Sequence, residues 1–272
     1  MDSITVNSVR ITKPNKLLYL NPAISKLEVI EYYETVSKHF INELSGRPIS
    51  MVRAPEGAKG HNFYQKHPTE SFPEYIERVV IKEKSKDGVY ITIDGLNDIT
   101  YLVNIGVLEF HIWGSKIDDI EHPDRIVLDL DPSVTNENVV DDLRELSLSV
   151  KELFESNGYK PLIKTSGSKG FHIYADVKEF DYSWDELKVV AKTIAEKMVK
   201  QNPKKYTIEF NKKDRGTKIF IDYLRNQRGA TMVAPYSLRS KEGACISFPF
   251  AWDKLKNITP TFFTIKNYQR YL

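Results

Sequence analysis

Asp124-Arg-Ile-Val-Leu-Asp-Leu-Asp-Pro-Ser133 is the stretch on which the reading of this chain turns. Ile126, Val127, Leu128 and Leu130 give it strand character. The two-residue period of a strand sets Asp129 and Asp131 on one face, with Leu128 and Leu130 turned the other way toward a core. Pro132 offers no N–H to a ladder, so the strand is expected to stop there with its carboxylates at the end. Two anionic side chains held side by side repel unless a cation sits between them, and hard divalent ions take such oxygens. A lone Asp-x-Asp is read equally well as two solvated aspartates, so the rest of the chain has to decide.

The flanking sequence supplies further polar groups at strand ends and turns. Upstream, Gly106 to Gly114 reads as a strand with Glu109, His111 and Trp113 on one face. Downstream, Thr135 to Asn157 has the period of an amphipathic helix stopped by Gly158. Pro161 to Thr165 and Phe171 to Ala175 read as strands joined by Ser166-Gly-Ser-Lys-Gly170, a tight turn in which small residues let backbone amides converge on an anion and Lys169 adds charge. It is not a P-loop, because the spacing before Gly-Lys is wrong and no helix follows. In Lys218-Ile-Phe-Ile-Asp-Tyr-Leu-Arg225, Asp222 sits within an apolar strand, where a carboxylate requires a metal or an arginine as partner.

Farther out, Ile4 to Ile11 reads as a strand and Thr12 to Lys16 as a basic turn. Ser25-Lys-Leu-Glu28 and Ser183-Trp-Asp-Glu186 are capping boxes opening two helices. Pro48 to Arg53 reads as a strand, and Val79 to Ile93 as a hairpin turning at Lys86-Asp-Gly88. In Asn62-Phe-Tyr-Gln-Lys-His67, Phe63 and Tyr64 can stack on bases while Lys66 meets phosphate.

At 272 residues, 41% hydrophobic, with no apolar run near the roughly 20 residues of a membrane span, the composition is that of an ordinary globular protein. Cys245 is the only cysteine, which excludes an internal disulfide and a multi-thiolate zinc site. With no signal-peptide pattern, a reducing, cytoplasmic setting is expected, without membrane contact. Net charge is +2, yet Lys200 to Lys241 holds 11 Lys or Arg against three acids, a balance suited to a polyanion. The pattern of elements implies one compact α/β (α+β) domain over residues 1–272, its sheets built from hairpins as well as crossovers.

Asp129-Leu-Asp-Pro132, Ser166-Gly-Ser-Lys-Gly-Phe-His172 and Ile221-Asp-Tyr-Leu-Arg-Asn226, in this order, resemble the three motifs of the archaeo-eukaryotic primase superfamily. The closer similarity is to the polymerase domain of ligase D and its stand-alone relatives in non-homologous end joining. Thr12-Lys-Pro-Asn-Lys16, Phe63 to His67, Leu108 to Trp113, Tyr236 to Arg239 and Phe248 to Trp252 fall where that family has similar strings. The resemblance implies a primase-polymerase fold, with mixed or antiparallel sheets and an RRM-like core flanked by helices. It also implies nucleotide addition, often of ribonucleotides, at the 3′ ends of broken or gapped DNA. Asp129, Asp131 and Asp222 would then be catalytic ligands of two manganese or magnesium ions. His111, Ser168, Lys169, His172, Arg225 and Arg239 would contact the incoming NTP or dNTP. Lys13 and Lys16 would meet a 5′-phosphorylated end, and Phe63 and Tyr64 the template or its terminal pair. Ku and a DNA ligase are the implied partners. Lys13 departs from the asparagine that relatives often carry, and Tyr64 from a second phenylalanine.

Two other readings compete. A hydrophobic strand ending in Asp-x-Asp also opens haloacid dehalogenase-type phosphatases, in which Asp129 would be the nucleophile and Asp131 the acid. Ser133 and the single Asp222 fit that pattern poorly. A non-catalytic DNA-end-binding module would use the basic stretch and the aromatics, but it leaves clustered acids facing phosphate.

Overall fold

The computed structural model describes residues 3–134 and 138–272. They form two compact units, each assembled from separated segments: Met1–Trp113 with Thr231–Ser247 and Phe263–Leu272, and Gly114–Ala230 with Phe248–Phe262. Among the described residues, no helix is long and apolar enough to cross a membrane.

The second unit is built around the aspartate strand, Arg125–Pro132. It is the third strand of six, in the order Tyr206–Thr207, Ile219–Asp222, Arg125–Pro132, Phe171–Asp176, Leu162–Thr165 and Pro249–Phe250. Every pairing is antiparallel except that of the first two strands. Helices Val139–Ser156 and Trp184–Gln201 pack on the central strands. Their apolar positions, Leu143, Leu146, Val150 and Phe154 with Leu187, Ile194 and Met198, are buried together with Ile126, Leu128, Leu130, Phe171 and Ile173. Burying this apolar face against the helices leaves the opposite face of the sheet to carry the polar side chains. Ser183 caps the second helix reciprocally with Glu186, as its sequence predicts. Where Ile219–Asp222 runs out, Asn226 takes over the ladder: its side chain accepts from the Val127 N–H at 2.7 Å and donates to the Val127 carbonyl at 2.6 Å.

In the first unit a six-stranded sheet runs Thr231–Val233, Val107–Trp113, Ile49–Arg53, Asp87–Ile91 and Arg78–Lys82, with its sixth strand, Phe63–Gln65, paired to Ile49–Arg53. Helix Lys26–Leu44, opened by the Ser25–Glu28 capping box, supplies Tyr33 and Phe40, which stack on each other and meet Phe110 edge-on.

The architecture agrees with the expected mixed α/β class, and two local readings are corrected. Ile4 to Ile11 is a hairpin, Ser3–Val6 with Val9–Thr12, because Asn7 and Ser8 both take positive φ in a two-residue loop. The hairpin near residue 86 turns at 83–86, since Lys82 pairs with Asp87 and Glu83 N–H reaches the Lys86 carbonyl. Leu17–Leu20 and Ala23–Ser25 form a further hairpin, in a stretch to which sequence pattern assigns no element. The expected helix start at Thr135 lies outside the described residues; the helix runs from Val139.

Gly170 is where the phosphate-type turn meets the aspartate strand. A Cβ there would lie 1.6 Å from the Leu130 carbonyl oxygen, between Asp129 and Asp131. Gly170→Ala is expected to lower the free energy of unfolding by about 3 kcal/mol, measured by chemical denaturation. An unchanged midpoint would contradict this packing.

Candidate active site

Strand register places four charged or titratable residues in one row across the second unit's sheet. Lys164 is the cross-strand partner of His172, His172 of Asp129, and Asp129 of Asp222. Directly opposed residues on one face bring their Cβ atoms to about 4.5–5.5 Å. Asp131 follows two residues after Asp129 on the same face, as the strand period predicts. Asp222 ends its strand and accepts the Leu224 N–H at 2.9 Å. Its demand for a partner is met by Arg225, whose Nε lies 3.1 Å from Asp222 Oδ2 and whose Nη2 lies 3.5 Å from Asp129 Oδ2. The Asn226 clamp on Val127 fixes where that arginine leaves the chain.

The carboxylates feel this crowding unequally. Burial pushes Asp129 up, but His172, Arg225 and Lys164 outweigh it and hold its carboxyl well below the ordinary range. Asp131 is pushed up by burial and then by Asp129. Asp222 is pushed up by burial and by Asp129, against the opposing pull of Arg225. His172 is lowered to about 4 by burial and by Lys164, so its ring is neutral at pH 7. Three oxygen-donor side chains, two of them penalised for being ionised, fit hard divalent cations. As placed, with the Arg225 guanidinium spanning Asp129 and Asp222, no three such side chains among the described residues stand ready to share an ion.

The acids open on a cleft of about 710 Å³ whose far wall is Phe210, Lys212, Lys213 and Arg215. Arg215 is held by the Glu209 and Phe210 carbonyls and lies 3.6 Å over the Phe220 ring. Phe210 is 68% exposed. Sequence reading noted the basic stretch but not these residues; the available signal was an aromatic beside paired lysines, the pattern already seen at Phe63 to Lys66.

The glycine turn brings Ser168 and Lys169 beside the aspartate strand, with Lys169 exposed. Two amides expected to face an anion, those of Ser168 and Gly170, instead donate to Ser166 Oγ.

The remaining candidates lie in the first unit, where sequence reading missed the residue that organises two of them. Glu109 accepts from the Ser240 N–H at 2.7 Å, and its carboxylate lies 3.0 Å from His111 Nε2 and 3.1 Å from Arg239 Nε. Tyr64 meets His111 edge-on and bonds Thr231, Phe63 lies under Arg53, and Lys66 is exposed. Lys13 is exposed at positive φ, while Lys16 donates to the Pro55 carbonyl at 2.6 Å. Lys26, unnoticed in the sequence, ties this turn to Thr12 and Asn104; burial and the nearby Lys16 and Lys13 lower it to about 8.

Burial raises the Glu109 carboxyl, but His111, Arg239 and the Ser240 amide reverse this and carry it down to about 2. A depressed carboxyl stabilises the fold fully above its unfolded value, near 4.5, and loses that contribution as pH falls toward 2. Glu109→Gln is therefore expected to cost about 3 kcal/mol at pH 7 and to flatten the stability profile between about 4.5 and 2, followed by urea denaturation. A variant with the wild-type acid slope would contradict the clamp.

Comparison with known proteins identifies the family. A profile of the LigD primase-polymerase domain matches residues 25–272. The chain is 34% identical over 255 residues to the multifunctional non-homologous end joining protein LigD of Pseudomonas aeruginosa, spanning 92% of this chain and 29% of that protein. It is 27% identical over 260 residues to the bifunctional non-homologous end joining protein LigD of Bacillus subtilis, spanning 94% and 41%. The chain thus spans less than half the length of these relatives. The polymerase domain from Mycobacterium tuberculosis Ligase D in complex with DNA has a TM-score of 0.87 at 26% identity, over 96% of this chain and 94% of that one. The chain belongs to the LigD primase-polymerase domain family.

Proposed function

We propose that this chain is a DNA-dependent nucleotidyltransferase that fills gaps and extends 3′ ends at DNA breaks in non-homologous end joining, with a preference for ribonucleotides. The observation that carries the reading is the register pairing of Asp222 with Asp129, with Asp131 on the same face of a cleft walled by lysine and arginine. Phosphoryl transfer asks the protein for positioning and charge neutralisation more than for covalent chemistry. Asp129, Asp131 and Asp222 would hold two divalent cations, manganese or magnesium, which supply that neutralisation and activate the attacking hydroxyl.

The chain's own groups do the rest. Lys169 and Arg225 border the acids and would steady the triphosphate, with Ser168 and His172 beside them. His111 and Arg239, braced by Glu109, are the first unit's nucleotide contacts. Phe63 and Tyr64 offer exposed rings for stacking on template bases, with Lys66 on phosphate. Lys13 and Lys16 are assigned to a 5′-phosphate; the M. tuberculosis domain's complex with DNA supports DNA as the partner. The relatives named for non-homologous end joining support that setting, in which Ku and a DNA ligase would be the partners. Family membership leaves the haloacid dehalogenase reading without support.

Because burial already penalises the ionised Asp222, Asp222→Asn should keep or raise the melting temperature while reducing primer extension on gapped DNA to background. Retained extension would refute the catalytic assignment, and loss of folding together with activity would favour the DNA-binding-module reading, in which the acids are structural. Chelation of divalent ions should likewise stop extension without unfolding the chain. Lys16→Ala should weaken binding to 5′-phosphorylated ends about tenfold and to 5′-hydroxyl ends far less, read by fluorescence anisotropy. Equal losses on both ends would make Lys16 a general phosphate contact.

A further inference from the structure

Lys164 has none of its surface exposed, and none of the roles above employs it. A buried ammonium is costly unless its donors are matched to acceptors. Its Nζ lies 3.0 Å from His172 Nδ1. On the other side of the ring, His172 Nε2 lies 3.4 Å from Asp129 Oδ1. These residues are successive cross-strand partners, so the register of three strands sets the row.

The chemistry of each group fixes the hydrogens. An ionised carboxylate only accepts, so the nitrogen facing Asp129 must carry hydrogen. In a neutral imidazole the other nitrogen is then an acceptor, and an ammonium, which only donates, is its complement. The opposite tautomer would set the Nε2 lone pair against the carboxylate and Nδ1–H against the ammonium, two repulsive contacts in place of two attractive ones. Asp129 is in turn approached from its second oxygen by Arg225, at 3.5 Å.

We propose that Lys164 is a positioning residue that donates to His172 Nδ1, holds the ring as the Nε2–H tautomer, and thereby fixes the Asp129 carboxylate from behind for nucleotidyl transfer. The proposal rests on the reading of Asp129 as a catalytic carboxylate. The device follows the logic of partners that orient a working side chain through a second hydrogen bond.

Long-range proton–nitrogen NMR of the metal-free full chain at neutral pH reads the ring directly, with the His172 signals assigned by their loss in His172→Gln. The expected spectrum has hydrogen on Nε2 and a bare, hydrogen-bonded Nδ1. In Lys164→Met, similar in length but without a donor, the Nδ1 resonance should move to that of an acceptor without a partner. The kcat for primer extension should fall about tenfold or more. Lys164→Gln, whose amide still donates, should restore the Nδ1 resonance and most of kcat. A wild-type ring with hydrogen on Nδ1, or on both nitrogens, overturns the proposal, as does an unchanged Nδ1 resonance or kcat in Lys164→Met. If Lys164→Met does not fold, the wild-type spectrum decides. A chain with the expected spectrum but no primer extension would sink the polymerase reading and leave the Lys164–His172 contact standing.

Discussion

Two carboxylates placed as direct cross-strand neighbours repel each other, and the second unit of this protein is arranged around that fact. Asp129 and Asp222 oppose each other in register, and Asp131 adds a third charge one strand period away. Like charges directly opposite destabilise a sheet. The strand pair persists because its other face is sealed by two helices, because Asn226 continues the ladder past Asp222, and because cations and a histidine surround Asp129. Burial, and then Asp129, raise the carboxyls of Asp131 and Asp222, while His172, Arg225 and Lys164 depress that of Asp129. Strongly perturbed carboxyls gathered in one cleft are a pattern that clusters at functional sites.

The first unit uses the same device with the signs reversed. There a single buried acid, Glu109, gathers His111, Arg239 and the Ser240 amide, so a histidine and an arginine are oriented by one carboxylate. In both units a buried residue stands behind the groups that sequence motifs advertise: Glu109 behind His111 and Arg239, and Lys164 behind His172 and Asp129.

Local chemistry was legible in the sequence, and register was not. The aspartate strand, its two faces, both capping boxes and the helices they open follow from period and capping rules. The N-terminal hairpin was missed because Asn7 and Ser8 lack the glycine that usually marks a two-residue loop, and the later turn was misplaced because Asp87-Gly88, a strong turn dipeptide, here lies in a strand. That Asp222 needed a partner was readable from its apolar flanks. That the partner is Arg225, that Asp222 faces Asp129, and that Lys164 stands behind His172 depend on pairings between distant segments that no local pattern encodes. The interleaving of two units from five segments is equally non-local.

The central claim is that the row of acids is a cation site shared by strands far apart in sequence. It is tested most directly by anomalous diffraction at the manganese edge from crystals soaked with manganese and a nucleoside triphosphate. The account predicts anomalous peaks within bonding distance of Asp129, Asp131 and Asp222, and their loss in Asp222→Asn. An empty cleft in the wild type, or peaks that persist unchanged without the Asp222 carboxylate, would contradict it.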